Sequence, residues 1–263
     1  MPERRSLEDW QRLVPELGIE QKTPGREIDF DSGALSSLSA AFWKEGYIAL
    51  PPLFRPADYL PVRAGMERLK RAALPPVYIY LFDEPWLMAA KLGALVRHFL
   101  GDYGILPNLW AWHLAEEGET GWPLHRDCDA VTVFGERDER VLMSLSLWLP
   151  LTDADERNGC MYVVPLASGE GAGEEMQETP LPAKAGSVLG WRQDLLHRGG
   201  AFTARAQNPR LSLSFEFQNR AFDPLAKPLI DPRALPSFDL RQRLIQAQFA
   251  KYRHIDPARA AGK

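Results

Sequence analysis

Residues 142–150 read Leu142-Met143-Ser144-Leu145-Ser146-Leu147-Trp148-Leu149-Pro150. Met143, Leu145, Leu147 and Leu149 fall on one face of this alternation, and Ser144, Ser146 and Trp148 on the other. Successive side chains of a strand point to opposite sides, so the stretch predicts a strand with one face on a packed layer. Its second face meets a polar setting, either water or a functional cavity. Residues 210–217 repeat the pattern: Leu211, Leu213, Phe215 and Phe217 lie on one side, and Arg210, Ser212, Ser214 and Glu216 on the other.

Outward from these two strands, shorter ones fit residues 108–114, Met161–Val164 and Ser187–Trp191. The first half of the chain reads as helical. Asp31 or Ser32 caps a helix running to about Glu45, which Gly46 ends, and Tyr47–Leu50 follows as a short strand. Further helices are predicted over Ala57–Ala73, behind Pro56, and over Pro85–Leu100, stopped by Gly101. Residues 239–252 read as helical again. Helices followed by several strands predict an α+β chain with an antiparallel sandwich or barrel. The stretch Ser168–Glu178, rich in Gly and Glu, reads as a mobile surface loop that covers the entrance of a site.

The chain has 263 residues, with 31 Lys and Arg against 35 Asp and Glu, a net charge of −4. At 45% hydrophobic and 25% charged residues it has globular composition, which excludes disorder and coiled coil as overall descriptions. The slightly acidic balance argues against nucleic-acid binding, which needs a basic footprint. No apolar run approaches the ~20 residues of a membrane helix. The charged start MPERRSLEDW has no signal core. The two cysteines, Cys128 and Cys160, read as reduced thiols of a cytoplasmic protein.

Chemistry concentrates on His125-Arg126-Asp127. On an extended segment positions i and i+2 share a side, so His125 and Asp127 can reach one ion. His197, before Gly199-Gly200, is the best third ligand. Two imidazoles and one carboxylate suit Fe(II) and leave coordination positions open for substrate, co-substrate and oxygen. Arg210 and Ser212, on one strand face, form a grip for a carboxylate through a guanidinium fork and a hydroxyl. Trp148, Trp110, Trp112 and Glu216 are candidate pocket residues, as is His113, although core packing or strand-end exposure competes with each role. Asp129 is a rival ligand, and His98 and His254 read as solvated.

The sequence resembles the phytanoyl-CoA dioxygenase-like group of Fe(II)/2-oxoglutarate oxygenases. The resemblance rests on Phe42-Trp43-Lys44-Glu45-Gly46-Tyr47, His125-Arg126-Asp127, residues 147–153, residues 156–165, Gly186-Ser187-Val188 through His197, and Arg210-Leu211-Ser212. It implies a double-stranded β-helix (jelly-roll, cupin-like) core with buttressing helices mainly from the N-terminal half. It also implies Fe(II) on His125, Asp127 and His197, and 2-oxoglutarate on Arg210 and Ser212, with molecular oxygen as the oxidant. Residues 1–263 then form one oxygenase domain: a helical part over about 30–105, the core over 106–222, and a C-terminal extension with a helix over 223–263.

The implied reaction converts 2-oxoglutarate to succinate and carbon dioxide while hydroxylating an unactivated C–H bond of a small-molecule metabolite or natural-product intermediate. Related halogenases replace the ligating carboxylate, and Asp127 retains it, which favours hydroxylation or another oxidation over halogenation. The sequence departs from the group after Pro165, where Leu166-Ala167-Ser168-Gly169 stands in place of a histidine-containing motif near the substrate. Two other expectations remain: a cupin-like isomerase or dioxygenase that does not use 2-oxoglutarate, and a non-catalytic binding module on the same barrel. Neither nucleic acid nor membrane is an expected partner, and the oligomeric state is open.

Overall fold

The computed structural model describes residues 5–136, 139–168 and 176–252. In chain order the first elements are α1 (Leu7–Leu13), α2 (Ser32–Glu45), β1 (Tyr47–Leu50), α3 (Pro56–Arg71), a 3-10 helix (Pro76–Leu81), α4 (Asp83–Lys91) and α5 (Gly93–Leu100). There follow β2 (Tyr103–Ile105), β3 (Trp110–Leu114), β4 (Val133–Phe134), β5 (Val141–Leu142) and β6 (Ser144–Pro150). The last are β7 (Met161–Val163), β8 (Thr179–Leu181), β9 (Val188–Arg192), β10 (His197–Gly199), β11 (Arg210–Asn219) and α6 (Phe238–Tyr252). The chain therefore mixes helices with antiparallel sheet.

The large sheet has the order β1-β9-β6-β11-β2, and β3 also pairs with β11. Its centre is the pair of alternating strands, in antiparallel register from Ser212 opposite Pro150 to Gln218 opposite Ser144. Both faces are buried, for different reasons. Leu145, Leu147, Leu149, Leu211, Leu213, Phe215 and Phe217 join Trp86, Leu95, Val96 and Phe99 in one apolar core beneath the helices. Each such side chain contributes about 1.5–3 kcal/mol when withdrawn from water. The opposite face looks across to a small sheet of order β10-β7-β8. Trp148, Leu189 and Trp191 pack there with Met161, Val163 and Leu195, and the remaining space between the sheets is a cavity.

Helix ends follow local chemistry. The Asp31 side chain accepts the Gly33 and Ala34 N–H groups, and Gly46 closes α2 with φ 85°, a left-handed geometry that glycine adopts without strain. The helix expected over Pro85–Leu100 is two helices. Ile28 N–H takes the Lys91 carbonyl at 2.8 Å. A Cβ on Gly93 would lie 2.2 Å from Glu27 Oε1, so the segment around Glu27 and Ile28 fills the break. Strands β1 and β2, from the N-terminal side, pair in the large sheet.

Helix α6 is tied to the rest by Arg241, whose Nη1 lies 2.8 Å from Asp83 Oδ1 with both side chains fully buried. The same carboxylate accepts the backbone N–H groups of Glu20, Gln21 and Lys22. Gln248 pairs with both backbone groups of Leu109. Lys251, one turn further on, thereby lines the cavity. Among the described residues, no helix is long and apolar enough to cross a membrane. Most of the loop expected over residues 168–178 lies outside the described residues, as does His254.

Candidate metal centre and cavity

His125, Asp127 and His197 each offer one ligand atom, and the three atoms lie within 4.8 Å of one another. The strands bring them together by exchange of backbone groups. His125 N–H donates to the His197 carbonyl, and His197 N–H to the His125 carbonyl, both at 3.0 Å. Close approach of the two segments depends on glycine. A Cβ on Gly199 would stand 2.7 Å from Gly121 Cα, and one on Gly121 would stand 2.9 Å from Gly199 Cα.

Each imidazole is oriented by its own chain. His125 Nδ1 lies 2.7 Å from the Pro123 carbonyl, and His197 Nδ1 2.9 Å from the Leu195 carbonyl. A carbonyl only accepts, so in both neutral rings Nδ1 carries the proton and Nε2 presents a lone pair. Both Nε2 atoms converge on Asp127 Oδ1, at 3.3 Å from His125 and 3.5 Å from His197. Asp127 Oδ2 accepts hydrogen bonds from Ser146 Oγ at 2.6 Å and Trp191 Nε1 at 3.1 Å. One carboxylate oxygen is held by the protein and the other faces the histidines. Such outer partners fix a ligand's orientation.

Burial opposes the charged form of Asp127. In the metal-free protein the hydrogen bond from Ser146, and the attraction and Nε2–H hydrogen bonds of His197 and His125 whenever those rings carry a second proton, outweigh it and hold the carboxyl well below the usual range. Burial likewise opposes protonation of His125, but Asp127 and the Pro123 carbonyl raise its pKa. The cluster thus carries a stable negative charge between two imidazoles, a donor set that fits a divalent cation of the Fe(II) type.

Arg210 stands on the same cavity wall and is 1% exposed. Its Nη1 donates to Ser212 Oγ at 2.8 Å. Its Nε and Nη2 are buried with no hydrogen-bond partner among the described residues. Burial pulls its pKa down to about 10. A buried guanidinium with two unanswered donors is costly unless an anion satisfies it. A carboxylate of a small dianionic acid fits that requirement bidentately. Trp148 lies beneath the guanidinium, its ring centroid 5.7 Å from Arg210 Cζ.

The cavity has a volume of about 370 Å³ and is lined by Trp110, Trp112, Trp148 and Glu216 as well as by the polar groups above. Glu216 is buried, correcting the alternative of strand-end exposure. Burial, and then the Asp127 charge, push it up to about 8. His113 is not a pocket residue. It pairs with Leu211, on the face opposite Arg210 and Ser212, so strand alternation turns it away from the cavity. Asp129 is exposed and is not part of the cluster.

Sequence reasoning missed Trp122, Trp191, Gln193, Asn108 and Lys251. Trp191 shares its face with Ser146, its partner on β6, so register was its signal. The others depend on loop and helix docking and carried none.

A metal-binding centre on the inner wall of paired antiparallel sheets, beside a buried anion grip, defines a class of non-haem metalloenzyme. The phytanoyl-CoA dioxygenase family model matches residues 73–210, just over half of the chain. The chain belongs to that family. It is accordingly an enzyme of the iron- and 2-oxoglutarate-dependent class. No curated protein matches it.

Solved structures share the fold at low identity. The epimerase SnoN of nogalamycin biosynthesis, crystallised with Fe3+, α-ketoglutarate and nogalamycin RO, is 19% identical. The match covers 79% of this chain and 96% of SnoN, with a TM-score of 0.53. HygX from Streptomyces hygroscopicus, with nickel and 2-oxoglutarate bound, is 15% identical over 71% of this chain and 87% of its own, with a TM-score of 0.54. The α-ketoglutarate-dependent carbocyclase SnoK, also of nogalamycin biosynthesis, is 14% identical over 75% and 87%, with a TM-score of 0.53.

Proposed function

We propose that this chain is an Fe(II)- and 2-oxoglutarate-dependent oxygenase that hydroxylates an unactivated C–H bond of a small molecule. The carrying observation is the pairing of two features in one cavity: the three convergent donors of His125, Asp127 and His197, and the buried Arg210 with two unpartnered N–H groups. Each would be costly alone, and together they match a metal and an anionic chelator.

In this reading His125 Nε2, Asp127 Oδ1 and His197 Nε2 hold the metal on one side and leave positions open on the other. Arg210 and Ser212 hold the far carboxylate of 2-oxoglutarate. Bound iron supplies oxygen activation coupled to decarboxylation of 2-oxoglutarate to succinate and carbon dioxide. The protein's part is to orient: Ser146 and Trp191 fix Asp127, and Trp148 walls the co-substrate end and excludes water. Trp110, Trp112 and Glu216 line the part of the cavity assigned to substrate.

SnoN is an epimerase and SnoK a carbocyclase. The retained Asp127 carboxylate favours an oxidation over halogenation, and hydroxylation is taken as the default among the outcomes that share these ligands. The two sheets are read as the walls of a double-stranded β-helix within one domain spanning residues 1–263. The free thiols Cys128 and Cys160 favour a reducing, cytoplasmic setting.

The test is an anaerobic titration of metal-free protein with Fe(II) and 2-oxoglutarate, watching for a visible metal-to-ligand charge-transfer band. The band is expected in the wild type and absent in His197→Ala. Iron binding without a band at saturating 2-oxoglutarate would sink the oxygenase reading. Mass analysis of products then separates gain of one oxygen atom from epimerisation or ring closure.

A further inference from the structure

The cavity has a basic end at Arg210 and a carboxylic acid end at Glu216. Arg210 and Glu216 share one face of β11, and six residues at the strand rise separate them by about 20 Å along the strand. Glu216 is 5% exposed. Asn108 Nδ2 and Gln193 Nε2 both donate to its Oε2, at 2.8 and 3.0 Å. Among the described residues these are its hydrogen bonds, so the cavity is left to Oε1.

Three indoles line the wall between the two ends, with Trp112 opposite Ser212 on the Arg210 side. Trp110 is opposite Ser214, the near neighbour of Glu216 on the same strand face. The rings of Trp110 and Trp112 lie nearly parallel, 10° apart with centroids at 6.1 Å. Trp122 stands edge-on to both, at 4.7 Å from Trp110 and 6.2 Å from Trp112. Aromatic faces in this arrangement attract cations.

Charge balance points the same way. In the loaded centre proposed above, the charges of Fe(II), Asp127, Arg210 and dianionic 2-oxoglutarate cancel, and Glu216 remains. Both of its hydrogen bonds come from neutral amides. Burial and then Asp127 push its carboxyl up to about 8, with the charge of Lys251 opposing, so a cation brought against Oε1 would favour the ionised form. Lys251 lies at the exposed side, with Nζ 3.4 Å from Asn108 Oδ1, on the amide that bonds Glu216 through its nitrogen.

We infer that Glu216 and the Trp110–Trp112–Trp122 corner form a recognition subsite for a positively charged nitrogen, and that the substrate is an organic amine, protonated at neutral pH. The inference rests on the oxygenase reading for which end of the cavity receives substrate. A neutral polyol would meet the indoles equally well but could not draw the Glu216 carboxyl into its charged form.

The test uses the full chain loaded anaerobically with Fe(II) and 2-oxoglutarate. Benzylamine, benzyl alcohol and benzoate serve as cationic, neutral and anionic probes of matched shape, with tryptophan fluorescence as the readout. Benzylamine is expected to bind at least 10-fold more tightly than benzyl alcohol. Glu216→Gln is expected to abolish that preference while leaving benzyl alcohol affinity in place. Trp122→Leu should weaken benzylamine more than benzyl alcohol, and it keeps the test open if Glu216→Gln does not fold.

Equal binding of amine and alcohol to the wild type, tightest binding of benzoate, or retained amine preference in Glu216→Gln would each overturn the subsite. The charge-transfer band distinguishes the two layers. Its absence defeats the oxygenase reading, while the difference in amine preference between wild type and Glu216→Gln, measured also in metal-free protein, reports on Glu216.

Discussion

Ser146 Oγ donates to Asp127 Oδ2 at 2.6 Å, so the side chain that orients the carboxylate belongs to the central strand of the large sheet. Ser146 is itself fully buried. The bond joins the segment carrying His125 and Asp127 to the most rigid part of the fold. Ser146→Ala removes it and leaves Trp191 Nε1 as the donor to that oxygen among the described residues. Fe(II) affinity should fall by roughly 10-fold, the lower end of the cost of losing an outer partner. Competition with a chelator under anaerobic conditions measures this. An unchanged affinity would mean that Trp191 alone suffices.

Arg210→Lys keeps a positive charge but loses the fork. A point charge cannot answer a carboxylate with two parallel hydrogen bonds, nor reach Ser212 in the same geometry. The expected outcome is 2-oxoglutarate binding weakened by at least 10-fold with Fe(II) binding retained. Titration of the charge-transfer band against 2-oxoglutarate reads the two separately.

The metal-free protein should lose stability as pH rises from about 4.5 to about 8. Glu216 has a folded pKa near 8 against a reference value of 4.5, because of burial and then Asp127, with Asn108, Gln193 and Lys251 opposing. The folded state therefore binds the proton more tightly across that window, and its stability falls as the proton is withdrawn. His125 acts in the same direction: its raised pKa contributes stability below its ordinary 6.5, lost as pH rises through the folded value. Urea midpoints across this range should decline in the wild type and decline less in Glu216→Gln. Fe(II) needs the neutral imidazole, so its own stabilising effect should grow with pH. A flat wild-type profile would contradict this account.

Arg241→Met should destabilise the fold by about 3–5 kcal/mol, the cost of stranding one member of a buried ion pair. Asp83 would keep the N–H groups of residues 20–22 but lose its cation. Urea unfolding provides the measurement. A loss below about 1 kcal/mol would mean that those N–H groups compensate the carboxylate by themselves.

The alternating strands were legible because a period of two survives folding unaltered, and register then carried Arg210, Ser212 and Glu216 to one face. His125 and Asp127 were legible for the same reason, as positions i and i+2. The break at Leu92 was not, because its cause is Glu27 and Ile28, some 65 residues away in sequence. Trp122, Asn108 and Gln193 were invisible for a related reason: their places depend on how loops dock. Helix α1 did have a local signal, the reciprocal Ser6 and Asp9 cap, which its charged flanks obscured. For His113 the two competing readings, structural and pocket, could be separated only by register, which sets it opposite Leu211.

The seam between Gly121 and Gly199 has a consequence for how the centre is assembled. Because the peptide groups of His125 and His197 are locked to each other, the spacing of the two imidazoles is a property of the backbone. The chain meets its metal as a finished die and does not close around it as clay would. Folding and metallation are then separate events, in that order, and a cation that prefers another geometry must adapt to the die.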